Sequence, residues 1–354
     1  MRDEFVYEAQ PMRVVFGAGR LPAVADEARR LGLSRALVVS TPGHEKLALR
    51  VADLLGERAA GVFAGARMHV PTPIVAAARE AAARLGADGC VAVGGGSAIG
   101  LAKALALRDG LPVIAVPTTY AGSEMTPVWG LTEDGVKRTG RDPAVLPRAV
   151  VYDPDLTLTL PPALSVTSGF NALAHAAEAL YAPDLSPIVA LMAEAGARAL
   201  IESLPRLVEA PADPPARSRA LYGAWLCGAV LGATTMSLHH KLCHVLGGTF
   251  DLPHAEVHTV VLPHVLAYNA AAAPDATAAL SRVLGSPDPA TALWDLARAL
   301  GAPTSLASLG LRESAIPEIV SQVLATPYAN PRPPTAPDLT DLLTHAHQGT
   351  APAP

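Results

Sequence analysis

Residues 89–107, GCVAVGGGSAIGLAKALAL, decide the fold. Positions 89–93 read as a strand without polar alternation, and such a strand belongs in a parallel sheet covered by helices on both faces. Gly94, Gly95 and Gly96 let the backbone approach a ligand closely, and Ser97 sits where a helix opens towards 107. Free N–H groups at such a helix start suit an anion, a pyrophosphate above all. The run is not G-x-G-x-x-G, so the standard dinucleotide fingerprint does not apply as written. Working outward, RALVVS (35–40), AGVF (60–63) and VIAV (113–116) read as further strands. A Thr41-Pro42-Gly43 turn leads into a helix ending at Leu55, and 73–85 reads as another. This βαβα rhythm predicts an α/β dinucleotide-binding domain with a parallel sheet over residues 1–158.

Beyond Pro161 the pattern changes. Residues 168–181, 187–204, 216–236 and 290–300 carry helical periodicity with few β-branched side chains. An all-α catalytic domain is therefore expected over 159–347, with 348–354 a disordered, Pro-rich tail.

Composition narrows the function classes. The 354 residues are half hydrophobic and 17% charged, with a net charge of −5. That is the profile of a two-domain globular enzyme, without the basic stripe nucleic acid requires. The longest apolar runs, such as 111–117, are too short for a bilayer, and charges occupy the start where a leader would be apolar. Cys90, Cys227 and Cys243 show no CxxC spacing, which suits a reduced, cytoplasmic chain. Cys243 lies among histidines, which leaves a metal role open, but a lone Cys reads first as a packing residue.

Two further features carry chemistry. Pro117-Thr118-Thr119-Tyr120-Ala121-Gly122-Ser123-Glu124 follows the next strand and is dense in hydroxyls. Both polar loops leave the carboxyl ends of parallel strands, where open α/β sheets bind ligands. The dinucleotide site is thus assigned to Gly94, Gly95, Gly96, Ser97, Thr118, Thr119, Ser123 and Ser40. With Ser40 and Thr41 where an acid would repel a 2′-phosphate, NADPH is expected to serve as well as NADH. The second feature is histidine. Asn171 and His175 share a helix face, with Glu178 three residues on as a support for His175 or an exposed acid. His239, His240, His244, His254 and His258 follow within twenty residues. Gly247, Gly248 and Pro253 are expected to break the helix and return the chain with His254 at a turn. Such imidazoles could hold a divalent metal, or bind a polyanion and supply protons near neutral pH.

The motifs GGGS (94–97), PTTYAGSE (117–124), GFNALAHAAEALYA (169–182) and HHKLCHVLGGTFDLPHAEVHTVVLPH (239–264) resemble the iron-containing alcohol dehydrogenase superfamily. Within it, Tyr120, residues 126–148 (TPVWGLTEDGVKRTGRDPAVLPR), Asn171 and PYANPRP (327–333) resemble the maleylacetate reductase branch. The resemblance spans 5–348. It implies an α/β dinucleotide domain plus a helical domain, and NADH- or NADPH-dependent reduction of the maleylacetate C=C bond to 3-oxoadipate in aromatic catabolism. It also places Asn171, His175, His240 and His254 where metal-binding members carry an aspartate and three histidines. His244 falls where they keep a histidine beside the nicotinamide.

Asn171 brings no negative charge, so only weak metal affinity is expected at this set and no metal is required. Gly100, where many metal-dependent members carry Asp, departs in the same direction. The catalytic set is accordingly Asn171, His175, His240, His244 and His254. Tyr120, His239, Lys241, Tyr328 and Arg332 are expected to bind a small dicarboxylate substrate, in a chain that forms a homodimer. The competing readings are a metal-dependent alcohol dehydrogenase or aldehyde reductase, a non-catalytic dinucleotide binder, and a lyase.

Overall fold

A computed structural model describes residues 5–7, 9, 12–133 and 136–353. Residues 1–4, Glu8, Gln10 and Pro11, Asp134 and Gly135 of the 126–148 motif, and Pro354 of the tail lie outside the described residues. The chain divides into two compact units, Ala9–Leu160 and a helical unit from Pro161 onward.

The first unit is built on six parallel strands: β1 (Arg13–Phe16), β2 (Ala36–Ser40), β3 (Ala59–Phe63), β4 (Gly89–Gly94), β5 (Val113–Pro117) and β8 (Ala149–Tyr152). Their order is β1-β8-β5-β4-β2-β3. Successive residues of one strand point to opposite faces. Leu37, Val39, Cys90 and Ala92 therefore pack with α3 (Thr72–Leu85) and α4 (Gly96–Asp109). Ala36, Val38, Val91 and Val93 pack with α1 (Ala23–Arg30) and α2 (Glu45–Leu55). Each fully buried valine contributes about 1.5–3 kcal/mol, which is why β2 up to Val39 and β4 carry no polar side chain on either face.

An antiparallel hairpin, β6 (Val128–Glu133) with β7 (Val136–Arg141), lies within the 126–148 motif. Lys103 on α4 is 1% exposed. Its Nζ donates to the carbonyls of Ser123 (2.6 Å), Thr126 (2.8 Å) and Val128 (2.8 Å) and to Thr126 Oγ1 (2.9 Å). The ammonium thus ties α4 to the chain that follows the hydroxyl loop.

In the helical unit, α5 (Pro162–Leu180), α6 (Pro187–Glu209) and α7 (Pro214–Ala233) pack against one another. A Cβ on Gly223 would lie 2.9 Å from the Gly196 carbonyl, so α6 and α7 meet backbone to backbone. Helix α6 continues through Pro205, past the expected end at 204. Helices α8 (Leu238–Thr249) and α9 (His254–Asn269) share a core with α12 (Ile316–Leu324) and α13 (Ala336–Gln348). Leu238, Leu242 and Leu246 of α8 and Val257, Val261 and Val265 of α9 point into that core at helical spacing. Between these helices run α10 (Pro274–Leu284) and α11 (Pro289–Ala299).

Two expectations need correction. Gly247 and Gly248 stay inside α8, because a helical glycine costs only about 1 kcal/mol and the Leu238–Leu246 face anchors this turn. The chain leaves the helix at Phe250, and Asp251 has φ +52°. At the C-terminus, Gln348 closes α13, Gly349 caps it in the left-handed region, and the Thr350 N–H donates to His345 O. Irregular chain begins only after Thr350. Among the described residues, no single helix is long and apolar enough to cross a membrane.

His264 of α9 is 2% exposed; burial, and then His345 nearby, pull its pKa down to about 4. Burial likewise lowers His175, His239 and His258. Below about pH 6.5 the unfolded chain takes up protons that these folded imidazoles refuse. Stability is therefore present above about pH 6.5 and lost as pH falls towards 4, with His264 alone accounting for up to about 3 kcal/mol. The urea midpoint should fall between pH 7.5 and 5, and fall less steeply in His264→Gln. An unchanged midpoint in the native chain would contradict this.

Candidate active site

Three helices of the helical unit bring the histidines together. On α5, Asn171, His175 and Glu178 lie one or two turns apart on one face, 4%, 3% and 0% exposed. On α8, His240 and His244 form one i, i+4 pair and His239 and Cys243 another, turned about 100° from it. On α9, His254 and His258 repeat the spacing. Ring centroids are 5.2 Å apart for His175–His240, 5.0 Å for His240–His258, 4.3 Å for His254–His258 and 6.1 Å for His240–His244. Six imidazoles thus form one cluster. His239 and His258 are its closed side, both 0% exposed, while His244 and His254 are only half-buried.

Glu178 is neither an exposed acid nor a support for His175. Its Oε2 lies 2.6 Å from His240 Nδ1 and accepts the Ser237 N–H at 3.0 Å. Its Oε1 accepts the His239 N–H at 2.7 Å. The carboxylate therefore caps the start of α8, whose N-cap Ser237 makes no side-chain cap, and draws stability from that helix end. His175 Nδ1 and His240 Nε2 are buried and have no hydrogen-bond partner among the described residues.

Asn171 brings a neutral amide to this set and so lowers the negative charge it would offer a divalent cation, while its imidazoles are donors of the kind iron and zinc accept. Among the described residues, the His, Cys, Asp and Glu ligand atoms that gather within 4.8 Å of one another as a trio are those of His239, Cys243 and His258. That trio is already committed. His239 Nε2 and His258 Nδ1 are hydrogen-bonded at 2.9 Å, and burial raises the Cys243 thiol well above its ordinary range, keeping it protonated.

The expected substrate residues divide. Lys241 Nζ donates to Thr326 Oγ1 at 2.6 Å and lies 6.0 Å from the Tyr328 ring centroid. Tyr328 Oη is buried with no partner among the described residues, and burial pushes the phenol up to about 12, so it stays a donor. His239, by contrast, is 0% exposed with its Nε2 against His258 Nδ1, so it faces inward and supports the cluster from behind. Arg332 pairs with Asp338 at 2.8 Å and lies over the Tyr268 ring at 4.3 Å, so its guanidinium is already engaged. Tyr120 is fully buried within the chain.

In the α/β unit, Gly94 has φ +137° and Gly95 stands as N-cap of α4 with no side-chain cap. A Cβ on Gly95 would lie 2.9 Å from Thr119 Cγ2, so a side chain would fill the space beside the hydroxyl loop. Ser40 Oγ and Thr119 Oγ1 are buried with no partner among the described residues, as donors awaiting a ligand would be. Ser97 and Ser123 are half-buried, and Gly96 is exposed. This arrangement fits a dinucleotide. His44 joins it: its Nε2 lies 3.2 Å from Thr118 Oγ1 and its Nδ1 3.1 Å from Thr41 Oγ1. No sequence spacing marks His44, since its partner is 74 residues away. Gly100 has a packing reason as well, since a Cβ there would meet Val70 Cγ2 at 2.8 Å.

Residues 11–154 match the family model described as iron-containing alcohol dehydrogenase, and residues 165–347 match its C-terminal counterpart. The chain is 56% identical over 349 residues to a maleylacetate reductase of Sphingobium indicum, covering 99% of each. The crystal structure of maleylacetate reductase from Agrobacterium tumefaciens superposes with a TM-score of 0.95 at 54% identity, over 99% of this chain and 100% of that one. The corresponding enzyme of Rhizobium sp. gives 0.94 at 53%, with the same coverage.

Proposed function

The chain belongs to the iron-containing alcohol dehydrogenase family, and on that premise we propose that it reduces the carbon–carbon double bond of maleylacetate to give 3-oxoadipate. It is an oxidoreductase using a nicotinamide cofactor, and we propose that NADH and NADPH both serve. One observation carries the reading: six imidazoles gather in the helical unit with the Asn171 amide on the same α5 face as His175, while the carboxylate packed beside them, Glu178, is turned onto α8 and His240. Such groups suit a substrate with two carboxylates that passes through an enolate.

Bound NAD(P)H supplies a hydride. Gly94, Gly95, Gly96 and Ser97 would receive its pyrophosphate at the start of α4, and Thr118, Thr119 and Ser123 would hold it from the neighbouring loop. Lys241 and Tyr328 hold a substrate carboxylate with an ammonium and a phenolic O–H. As hydride adds to the carbon β to the ketone, the π pair moves and charge develops on the ketone oxygen. Half-buried His244 and His254 can donate to that oxygen from the edge of the cluster. His240 Nε2–H delivers the proton to the α carbon, completing 3-oxoadipate with one hydride and one proton consumed.

We infer that no resident metal takes part. The neutral Asn171 and the commitment of His239, Cys243 and His258 to one another support this. The test is a coupled product and cofactor assay. Maleylacetate should be reduced with one NADH or NADPH consumed per 3-oxoadipate. Deuteride from labelled NADH should appear on the carbon beside the distant carboxylate. Activity on simple alcohols, with none on maleylacetate, would replace this reading with an alcohol dehydrogenase.

A further inference from the structure

We propose that Glu178 is the positioning residue that fixes His240 in the tautomer with its proton on Nδ1, leaving Nε2 as the only ring atom able to exchange a proton with substrate. The proposal rests on His240 as the proton-delivering group.

Three acceptor contacts fix the geometry. The two Glu178 oxygens take the backbone N–H groups of Ser237 (3.0 Å) and His239 (2.7 Å), and Oε2 also meets His240 Nδ1 at 2.6 Å. Tyr181 Oη adds a fourth donor at 3.4 Å. A carboxylate encircled by donors can meet Nδ1 only if Nδ1 carries hydrogen. The side chain is 0% exposed, so no water competes for these oxygens. His240 Nε2, across the ring, is buried without a partner among the described residues. The donating ring carries hydrogen on both nitrogens. When Nε2–H passes its proton to the substrate carbon, the neutral ring left behind is the Nδ1–H tautomer that Glu178 holds, and Nε2 takes up a proton from solvent before the next turnover. Buried carboxylates commonly set the tautomer of a working histidine in this way, and the wrong tautomer costs orders of magnitude in turnover.

Capping α8 would by itself be a structural role, so the test must read the ring. Long-range ¹⁵N–¹H correlation of histidine-labelled protein, with His240 assigned by its loss in His240→Gln, should show neutral His240 protonated at Nδ1. Protonation at Nε2 in the native chain would overturn the proposal, and this reading needs no Glu178 variant to fold. In Glu178→Gln, kcat should fall about 100-fold. KM for maleylacetate and Kd for NADH should stay within about threefold, since no binding group is touched. The solvent isotope effect on kcat should rise as proton delivery becomes limiting. If His240→Gln turns over normally, the role of His240 fails. If His240→Gln is inactive while Glu178→Gln keeps native turnover, the role of Glu178 alone is overturned.

Discussion

His240→Gln should reduce maleylacetate with kcat lowered about 10²–10⁴-fold, the range expected when a positioned proton donor is removed. The size of the effect follows from the ring's surroundings. His240 is 6% exposed and neighbours the rings of His175, His239, His244 and His258. Water cannot readily replace it as a donor to carbon in such a place. Glutamine keeps an N–H for Glu178, so the α8 cap survives and the fold is spared the larger cost of an unpaired buried acid. Circular dichroism and the Kd for NADH should therefore match the native chain while turnover does not. A His240→Gln enzyme with native kcat would remove His240 from the chemistry.

Gly95→Val should weaken NADH and NADPH alike, by about tenfold to 100-fold in Kd. A loss of one to two hydrogen bonds at about 1.4 kcal/mol each gives that range. The new Cβ would lie 2.9 Å from Thr119 Cγ2 and 3.0 Å from Thr119 Oγ1, and the valine methyls would extend over the start of α4. Thr119 would have to turn away, and the pyrophosphate would stand off from the N–H groups that should hold it. Fluorescence titration of NADH reads the change directly. Unaltered Kd values for both cofactors would show that the pyrophosphate does not sit there.

Much of the scaffold is legible in the sequence because it is local. RALVVS and GCVAV must be doubly covered strands, since Ala36, Val38, Val91 and Val93 feed one core and Leu37, Val39, Cys90 and Ala92 the other. The hairpin of β6 and β7 escapes such a reading because its second strand, VKRTGR, is polar and its pairing depends on its partner. Strands β1 and β8 are only four residues long, and they pair with each other across 136 positions, as Arg13 with Ala149.

At the site, i, i+4 spacing shows that His240 and His244 share a face, but not what that face meets. Neighbouring His239 looks equally available in the sequence, and only the packing of α8 on α9 turns it inward to His258. Glu178 was visible three residues after His175. Its partner, His240, is 62 residues away and could not be read from spacing. The hydroxyl loop led to Thr118 and Thr119, whereas His44, which closes it from the end of β2, has no sequence signature.

We propose that this family member transfers hydride to maleylacetate without a metal, and one measurement tests that directly. Enzyme exhaustively treated with chelator, its iron and zinc content determined by mass spectrometry, is assayed for NADH oxidation with maleylacetate. Full activity at less than about 0.05 metal ions per chain is expected, because Asn171 supplies no charge to hold a cation tightly. Activity lost on chelation and restored by Fe²⁺ or Zn²⁺ would contradict the claim.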